Sequence, residues 1–394
     1  MIEEQKKTKD ETSDASDIVL VPHRKIDPMV RVLLFVRSAG RCEFDGCNED
    51  LLQHPVTLKE GNFAEMAHIV AFKKAGPRGD EGERPAEINS ADNLMLLCQR
   101  CHKHVDDNEK EFPRARLETF KREHEDRIAH VTSIGPDRKT AVLSLTAPIG
   151  GQAVAIPRTH VFAAVLPRYP VSKGGLTIDL GDLSGGRESD GFYQVAREKI
   201  DRDVDRFFAA DGEGSGITHV SVFGLGPIPL LIHLGAKLTN KVPSDLYQRH
   251  RDTEDWVWKE DGEPITYTVA LRSEGKNGGP VALILALSGS IPTESLPDHL
   301  REGAWLYEIS LDRRVPEPTF LRRRDDLDAF RVAFQEALGR IAASHGLLKD
   351  IDLIPAIPAP VAILVGRERL PKVHPALRVF DRTKDGYVFA FEVT

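Results

Sequence analysis

The sequence predicts a multidomain α/β protein, and three observations predict it. All four cysteines fall in the first quarter of the chain as two tight pairs, Cys42 with Cys47 and Cys98 with Cys101. Beyond about residue 156, short apolar runs suited to buried strands alternate with stretches of helical spacing. A segment from the middle of the chain returns near its end, which marks a duplicated unit. At 394 residues the chain is long enough for two or three domains.

Composition excludes several classes. A hydrophobic share of 41% with 29% charged residues is that of an ordinary globular protein. No run approaches the roughly 18 apolar residues of a membrane span, so no membrane partner is expected. The N-terminus has no apolar stretch ending in a small-residue cleavage site, which points to a cytoplasmic protein. In a reducing cytoplasm, close cysteine pairs read as metal ligands rather than disulfides. The net charge of -8 argues against coating nucleic acid along its length. It leaves room for a nuclease, because a metal ion and a few local cations can carry the phosphate charge. The absence of a Walker A or G-x-G-x-x-G pattern argues against an ATP or NAD domain.

Residues 1–17, nearly all polar, read as a disordered tail, and residues 18–135 as the first domain. Residues 29–37 read as a short helix, and 38–42 as a turn into the first cysteine pair. An apolar run at 94–97 leads into the second pair, and 117–128 has the spacing of an amphipathic helix. Tetrahedral zinc bound by four thiolates needs two short-range pairs brought together by the fold. Cys42-x4-Cys47 and Cys98-x2-Cys101 fit that need. Such a Zn2+ is structural, since four cysteines leave no open coordination position. The separation of the pairs is too long for a simple zinc ribbon, so a functional insert is expected between them.

That insert carries His68 in Met66-Ala-His-Ile-Val70, then a polar, glycine-rich loop. Asn89, Asn93, the apolar run, Cys98-Gln-Arg-Cys101-His102 and Asp106 follow. This order resembles the HNH endonuclease motif over roughly residues 30–110. The resemblance implies a ββα-metal fold with a zinc knuckle and one catalytic Mg2+. It implies that His68 is the general base, that Asn93 orients the base-bearing loop, and that His102 ligates the Mg2+. The residue types suit phosphodiester hydrolysis. A neutral imidazole can take a proton from water near neutral pH, and a metal stabilises the transition-state charge and the leaving oxygen. Asp106 lies one helical turn beyond His102, so both can face one site. Many members of that family carry Asp just before the first histidine, where this chain has Ala67. Glu65 or Asp106 would then supply the missing oxygen. Asn89 is an alternative for the asparagine role, and His104 reads as a solvent-facing helix residue.

Residues 136–155 read as a linker with strands at 141–146 and 153–156, and residues 156–394 as the second domain. Residues 218–237 can be laid on 349–368, placing Pro227 on Pro358, Pro229 on Pro360 and Gly235 on Gly366. Each copy reads as a buried strand, a proline-rich turn and an apolar helix. Helices at 193–209 and 327–344 precede the copies, and apolar strands at 160–166 and 281–287 come before those. Two Rossmann-like halves are the economical explanation. Such halves bind ligands at the carboxyl ends of their strands. That places Gly224, Leu225, Pro227, Ser288, Ser290, Pro355 and Pro358 on a pocket rim. Tyr247, Gln248, Arg249, Trp256 and Trp258 would add stacking rings and a cation for bases and phosphates. Core packing is the alternative for the two tryptophans.

An HNH segment followed by a duplicated Rossmann-like (CARF-like) domain resembles the HNH–SAVED effectors of bacterial CBASS anti-phage systems. The resemblance implies activation by a cyclic oligonucleotide, a cyclic di- or trinucleotide, and a double-stranded DNA substrate. It also implies a homo-oligomer, a dimer that becomes larger when activated. Two rival readings remain. One is a restriction-type nuclease whose C-terminal half reads modified DNA. The other, motivated by Ala67, is a non-catalytic nucleotide-binding protein with a decayed HNH fold.

Overall fold

The computed structural model describes residues 25–148, 154–172, 174–183, 191–209, 211–212, 216–240 and 242–394. The expected tail at 1–17 lies outside them. The chain divides into two compact units, Met1–Gly135 and Pro136–Thr394.

In the first unit, helix α1 (Pro28–Arg37) starts where its sequence dictates. The Asp27 side chain accepts from the Met29 N–H at 2.7 Å, and Pro28 fills the first turn, where no intrahelical donor is needed. Gly40 then takes a left-handed turn (φ 66°) that delivers Cys42 to the core. Strands β1 (Ala64–His68) and β2 (Leu94–Cys98) pair antiparallel, with His68 opposite Leu94 and Ala64 opposite Cys98. All of β2 is buried. Helix α2 (Gln99–Asp107) begins directly after it, and helix α3 (Arg114–Thr132) covers the core with Leu117, Lys121 and His124.

The second unit contains two sheets among its described residues. The first is formed by β3 (Lys139–Thr146), β4 (Tyr169–Pro170), β5 (Leu176–Asp179), β6 (Val220–Leu225) and β7 (Ser244–Tyr247), all paired parallel. Its helices are α4 (Arg158–Val165), α5 (Phe192–Phe208) and α6 (Ile228–Leu238). On α5, Phe192, Ala196, Ile200, Val204 and Phe207 recur at helical spacing and form its buried stripe. The second sheet runs β13-β12-β11-β9-β10-β8, in chain order β8 (Tyr267–Ser273), β9 (Val281–Ala286), β10 (Trp305–Leu311), β11 (Asp350–Ala356), β12 (Ala376–Thr383) and β13 (Gly386–Val393). Its four inner strands are parallel, and β8 and β13 close it antiparallel. The short helix α7 (Asp298–Arg301), α8 (Asp325–His345) and α9 (Ala359–Glu368) complete the half.

The repeat seen in the sequence is a repeat of structure. β6 with α6, and β11 with α9, occupy the two copies in the register that the sequence suggests. The copies meet through α6 and α9, and the glycines make that contact. A Cβ on Gly235 would lie 2.0 Å from the Ile363 carbonyl oxygen, and one on Gly366 would lie 1.9 Å from that of Ile232. Ile232 and Ile363 are themselves equivalent in the repeat, so the crossing is reciprocal.

Three expectations are corrected. Residues 136–155 are not simply a linker, because β3 is a buried strand with β6 on one side and β4 and β5 on the other. Residues 154–156 form no strand. Residues 160–166 belong largely to helix α4 rather than a strand, with Val161, Ala164 and Val165 buried at helical spacing.

Candidate functional site

The four cysteines converge. Their sulfur atoms lie within 4.8 Å of one another, with Cys47 and Cys98 4.0 Å apart. Tetrahedral zinc with bonds near 2.3 Å sets neighbouring sulfurs about 3.8 Å apart, so the donor set fits. Backbone amides already serve it: the Cys98 N–H donates to Cys42 Sγ at 3.3 Å, and the Cys101 N–H to Cys98 Sγ at 3.4 Å. Burial, ahead of every opposing hydrogen bond, pushes the Cys42 thiol up to about 12. A cation is what would make thiolates stable in that pocket.

β2 runs from the HNH-like asparagine to this cluster, and α2 continues from it, so His102 follows a sulfur donor directly. His68 ends β1. Its Nε2 lies 2.9 Å from Asn89 Oδ1. An amide oxygen only accepts, so this contact places the proton on Nε2 and leaves Nδ1 as the basic nitrogen. Asn93 is buried and serves the loop instead. Its Oδ1 accepts from the Val70 N–H at 2.9 Å, and its Nδ2 donates to the carbonyls of Val70 (3.0 Å) and Ile88 (2.8 Å). The two asparagines thus divide the work, Asn89 on the imidazole and Asn93 on the backbone that carries it.

On α2, His102 Nε2 lies 3.4 Å from Asp106 Oδ2. The bond to Asp106 is the main cause raising the His102 pKa, and the charge of Glu65 adds to it. Asp106 is held below the usual carboxylate range: burial opposes this, and His102 and Arg78 outweigh it. Arg78 reaches the other Asp106 oxygen at 2.8 Å. Sequence reasoning missed Arg78, since it lies in the polar, glycine-rich loop and belongs to no motif. His104 is exposed, as expected, beside Phe44 and Phe112.

In the second unit, Ser288 and Ala356 meet at the carboxyl ends of β9 and β11, where the Ser288 N–H donates to the Ala356 carbonyl at 2.7 Å. This brings Ser288 to the residue that follows Pro355, two positions before Pro358, which caps α9. The Ser288 hydroxyl is buried with no hydrogen-bond partner among the described residues. Gly224 and Leu225 end β6, and Pro227 caps α6. Gly224 packs under Leu231 and near Ile363 of α9.

The aromatic residues do not form an open stacking platform. Tyr247 stacks on Phe223 with centroids 4.4 Å apart and planes 4° apart, and Trp256 meets Phe223 edge-on at 5.3 Å. Trp256 is 1% exposed, so neither of its faces is open to a base. Trp258 packs partly into the same cluster and donates to the Leu246 carbonyl at 3.2 Å. Gln248 donates to the Arg249 carbonyl, and Arg249 lies 3.8 Å from Glu254. A cavity of about 200 Å³ lies elsewhere, between α4 and the outer face of β3 and β5. Ser144, Thr146, Arg158, Phe162 and Asp179 are among its lining residues, and none of the expected ligand-binding residues is.

A family model described as HNH endonuclease matches residues 42–109. One described as the SMODS-associated and fused to various effectors sensor domain, SAVED, matches residues 200–393. No curated protein matches the chain. Among solved structures, the Acinetobacter baumannii Cap4 SAVED/CARF-domain receptor with the cyclic trinucleotide 2'3'3'-cAAA is 12% identical at a TM-score of 0.40. That match covers 78% of this chain and 64% of the receptor, so the chain spans just under two thirds of the structure it matches. The Moraxella osloensis Cap4 receptor is 11% identical at a TM-score of 0.37, covering 80% of this chain and 71% of that one.

Proposed function

We propose that this chain, matched by an HNH endonuclease model at 42–109 and a SAVED sensor model at 200–393, is a DNase of anti-phage defence activated by a cyclic oligonucleotide. The observation that carries the nuclease half is the paired arrangement His68–Asn89 and His102–Asp106 on a ββα unit. His68 Nδ1 takes the proton of the attacking water, and Asn89 holds the ring in the tautomer that can do so. His102 and Asp106 would hold a divalent cation, which supplies charge stabilisation to the scissile phosphate. Asp106 then provides the oxygen that Ala67 lacks. No helix among the described residues is long and apolar enough to cross a membrane.

For the sensor half, the facing copies of one strand–turn–helix unit support a composite site for a cyclic di- or trinucleotide. Each copy can contact part of the ring, so binding fixes the relation between the copies. We place the switch in assembly of the chain into a larger homo-oligomer, with double-stranded DNA as substrate. A ligand shifts such an equilibrium only by its preference for the active state. Plasmid digestion with Mg2+ across a panel of cyclic di- and trinucleotides, with light scattering on the same samples, tests the reading. Cutting and particle size should rise together with one ligand. Full cutting by ligand-free monomer would refute the control mechanism, and ligand-independent, methylation-dependent cutting would favour the restriction-type rival.

A further inference from the structure

Arg78 is 2% exposed, and its guanidinium donates to three acceptors, one just after β1 and two on α2. Nε donates to the Ile69 carbonyl at 2.8 Å, one residue after His68. Nη1 donates to the Val105 carbonyl at 3.1 Å, and Nη2 to Asp106 Oδ1 at 2.8 Å, both on the helix that carries His102. One planar group therefore ties the backbone of the proposed base to the helix of the proposed cation ligands. The backbone of Arg78 is left-handed (φ 57°), a region where glycine is the default. A side chain retained at such a position, and buried, is there for what it contacts. Lysine could replace it only in part, since an ammonium can reach one or two of these acceptors but cannot match three in a fixed planar fork.

The contact to Asp106 has a chemical consequence. With Oδ1 occupied by Arg78, the carboxylate cannot turn freely, and Oδ2 is left facing His102 Nε2 at 3.4 Å. Neighbouring ligands of a small octahedral cation, with bonds near 2.1 Å, are about 3.0 Å apart. The pair is thus close to the spacing of two adjacent ligands. We infer that Arg78 is a positioning residue for the nuclease cation: it clamps Asp106 in the orientation that completes a chelating pair with His102, and holds that pair in register with the His68 loop. This rests on the metal-dependent reading above.

Mn2+ binding to the full chain, without DNA or activator, tests it, with bound zinc measured on the same samples. Arg78→Met should weaken Mn2+ binding at least about tenfold while zinc is retained, and Arg78→Lys should recover part of the loss. In an Asp106→Asn background, removing Arg78 should cost less than about twofold more, because the side chain it holds then no longer turns a second oxygen toward the cation. Unchanged Mn2+ affinity in Arg78→Met, or an equal loss with Asp106→Asn already present, would overturn the inference. So would loss of zinc in both Arg78 variants, which would assign the residue to the fold. Failure of the wild-type chain to bind Mn2+ would remove the metal-dependent reading itself, and the role of Arg78 with it.

Discussion

Replacing Gly366 by alanine should damage the sensor unit through a single methyl group. In a helix interior, exchanging glycine for alanine normally stabilises by up to about 1 kcal/mol, because the unfolded chain loses freedom. At Gly366 the added Cβ would lie 1.9 Å from the Ile232 carbonyl oxygen and 2.6 Å from the Ala236 nitrogen. Both are backbone atoms of α6, so no side chain can turn aside. The crossing must open by about 1.5 Å to restore ordinary contact, and overpacking of this kind costs about 1–3 kcal/mol or more. Clash should therefore exceed propensity. At about 2–4 °C per kcal/mol for a unit of this size, the melting transition of the second unit should fall by several degrees. Gly339→Ala on α8 is the matched control. That glycine is exposed, and nothing lies within 4 Å of where its Cβ would be, so the same exchange should raise the transition slightly. Calorimetry on both variants checks this, and Gly366→Ala melting at or above the wild type would refute the close-crossing reasoning.

Cys98→Ser should lose stoichiometric zinc by elemental analysis and destabilise the first unit, while ligand binding by the second persists. His68→Ala should lower plasmid cleavage at least about 10²-fold with zinc content unchanged. Asn89→Ala should reduce cleavage in a folded protein, whereas Asn93→Ala should lower the melting point of the first unit, since three backbone groups lose their partner and each unmet group costs about 1–3 kcal/mol. The second unit should weaken in acid. Burial, opposed by Asp201, holds His233 below its ordinary value of 6.5, so the unfolded chain binds the proton more readily. The stability this confers is complete above about pH 6.5 and is lost as the pH falls through the lower folded value. Urea midpoints measured between about pH 7.5 and 5.5 should decline, and His233→Gln should flatten part of that decline.

What could be read from the sequence follows the range over which each feature is specified. The cysteine pairs, and the order His68, Asn93, His102, are local spacings, and spacing survives without knowledge of the fold. The repeat was visible because Gly235 and Gly366 must both lack a side chain for α6 and α9 to cross, so packing wrote itself into the sequence twice. Helix α4 was misread because a short apolar run suits a buried strand or a helix equally by hydrophobicity. The better signal was Pro157 just before it, a residue suited to the start of a helix. Trp256 and Tyr247 suit stacking by residue type alone, but residue type says nothing about which side of a sheet is covered. In the fold, both rings pack against Phe223 on the outer face of the first sheet, where no base can reach Trp256.

The site itself shows the same limit more sharply. Motif order named the groups for proton transfer and cation binding, but not the groups that aim them. Asn89 reaches back 21 residues to His68, and Arg78 reaches forward 28 residues to Asp106, across a loop with little periodicity. The substitution at Ala67 makes these long-range contacts matter more. A carboxylate fixed beside the histidine on β1 would inherit its position from the strand. Asp106 sits on α2 and shares a half-buried face with His102, so its orientation has to be imposed from outside the helix. The buried guanidinium of Arg78 imposes it. With alanine on the strand at position 67, the cation site depends on the loop that carries Arg78 staying folded over α2.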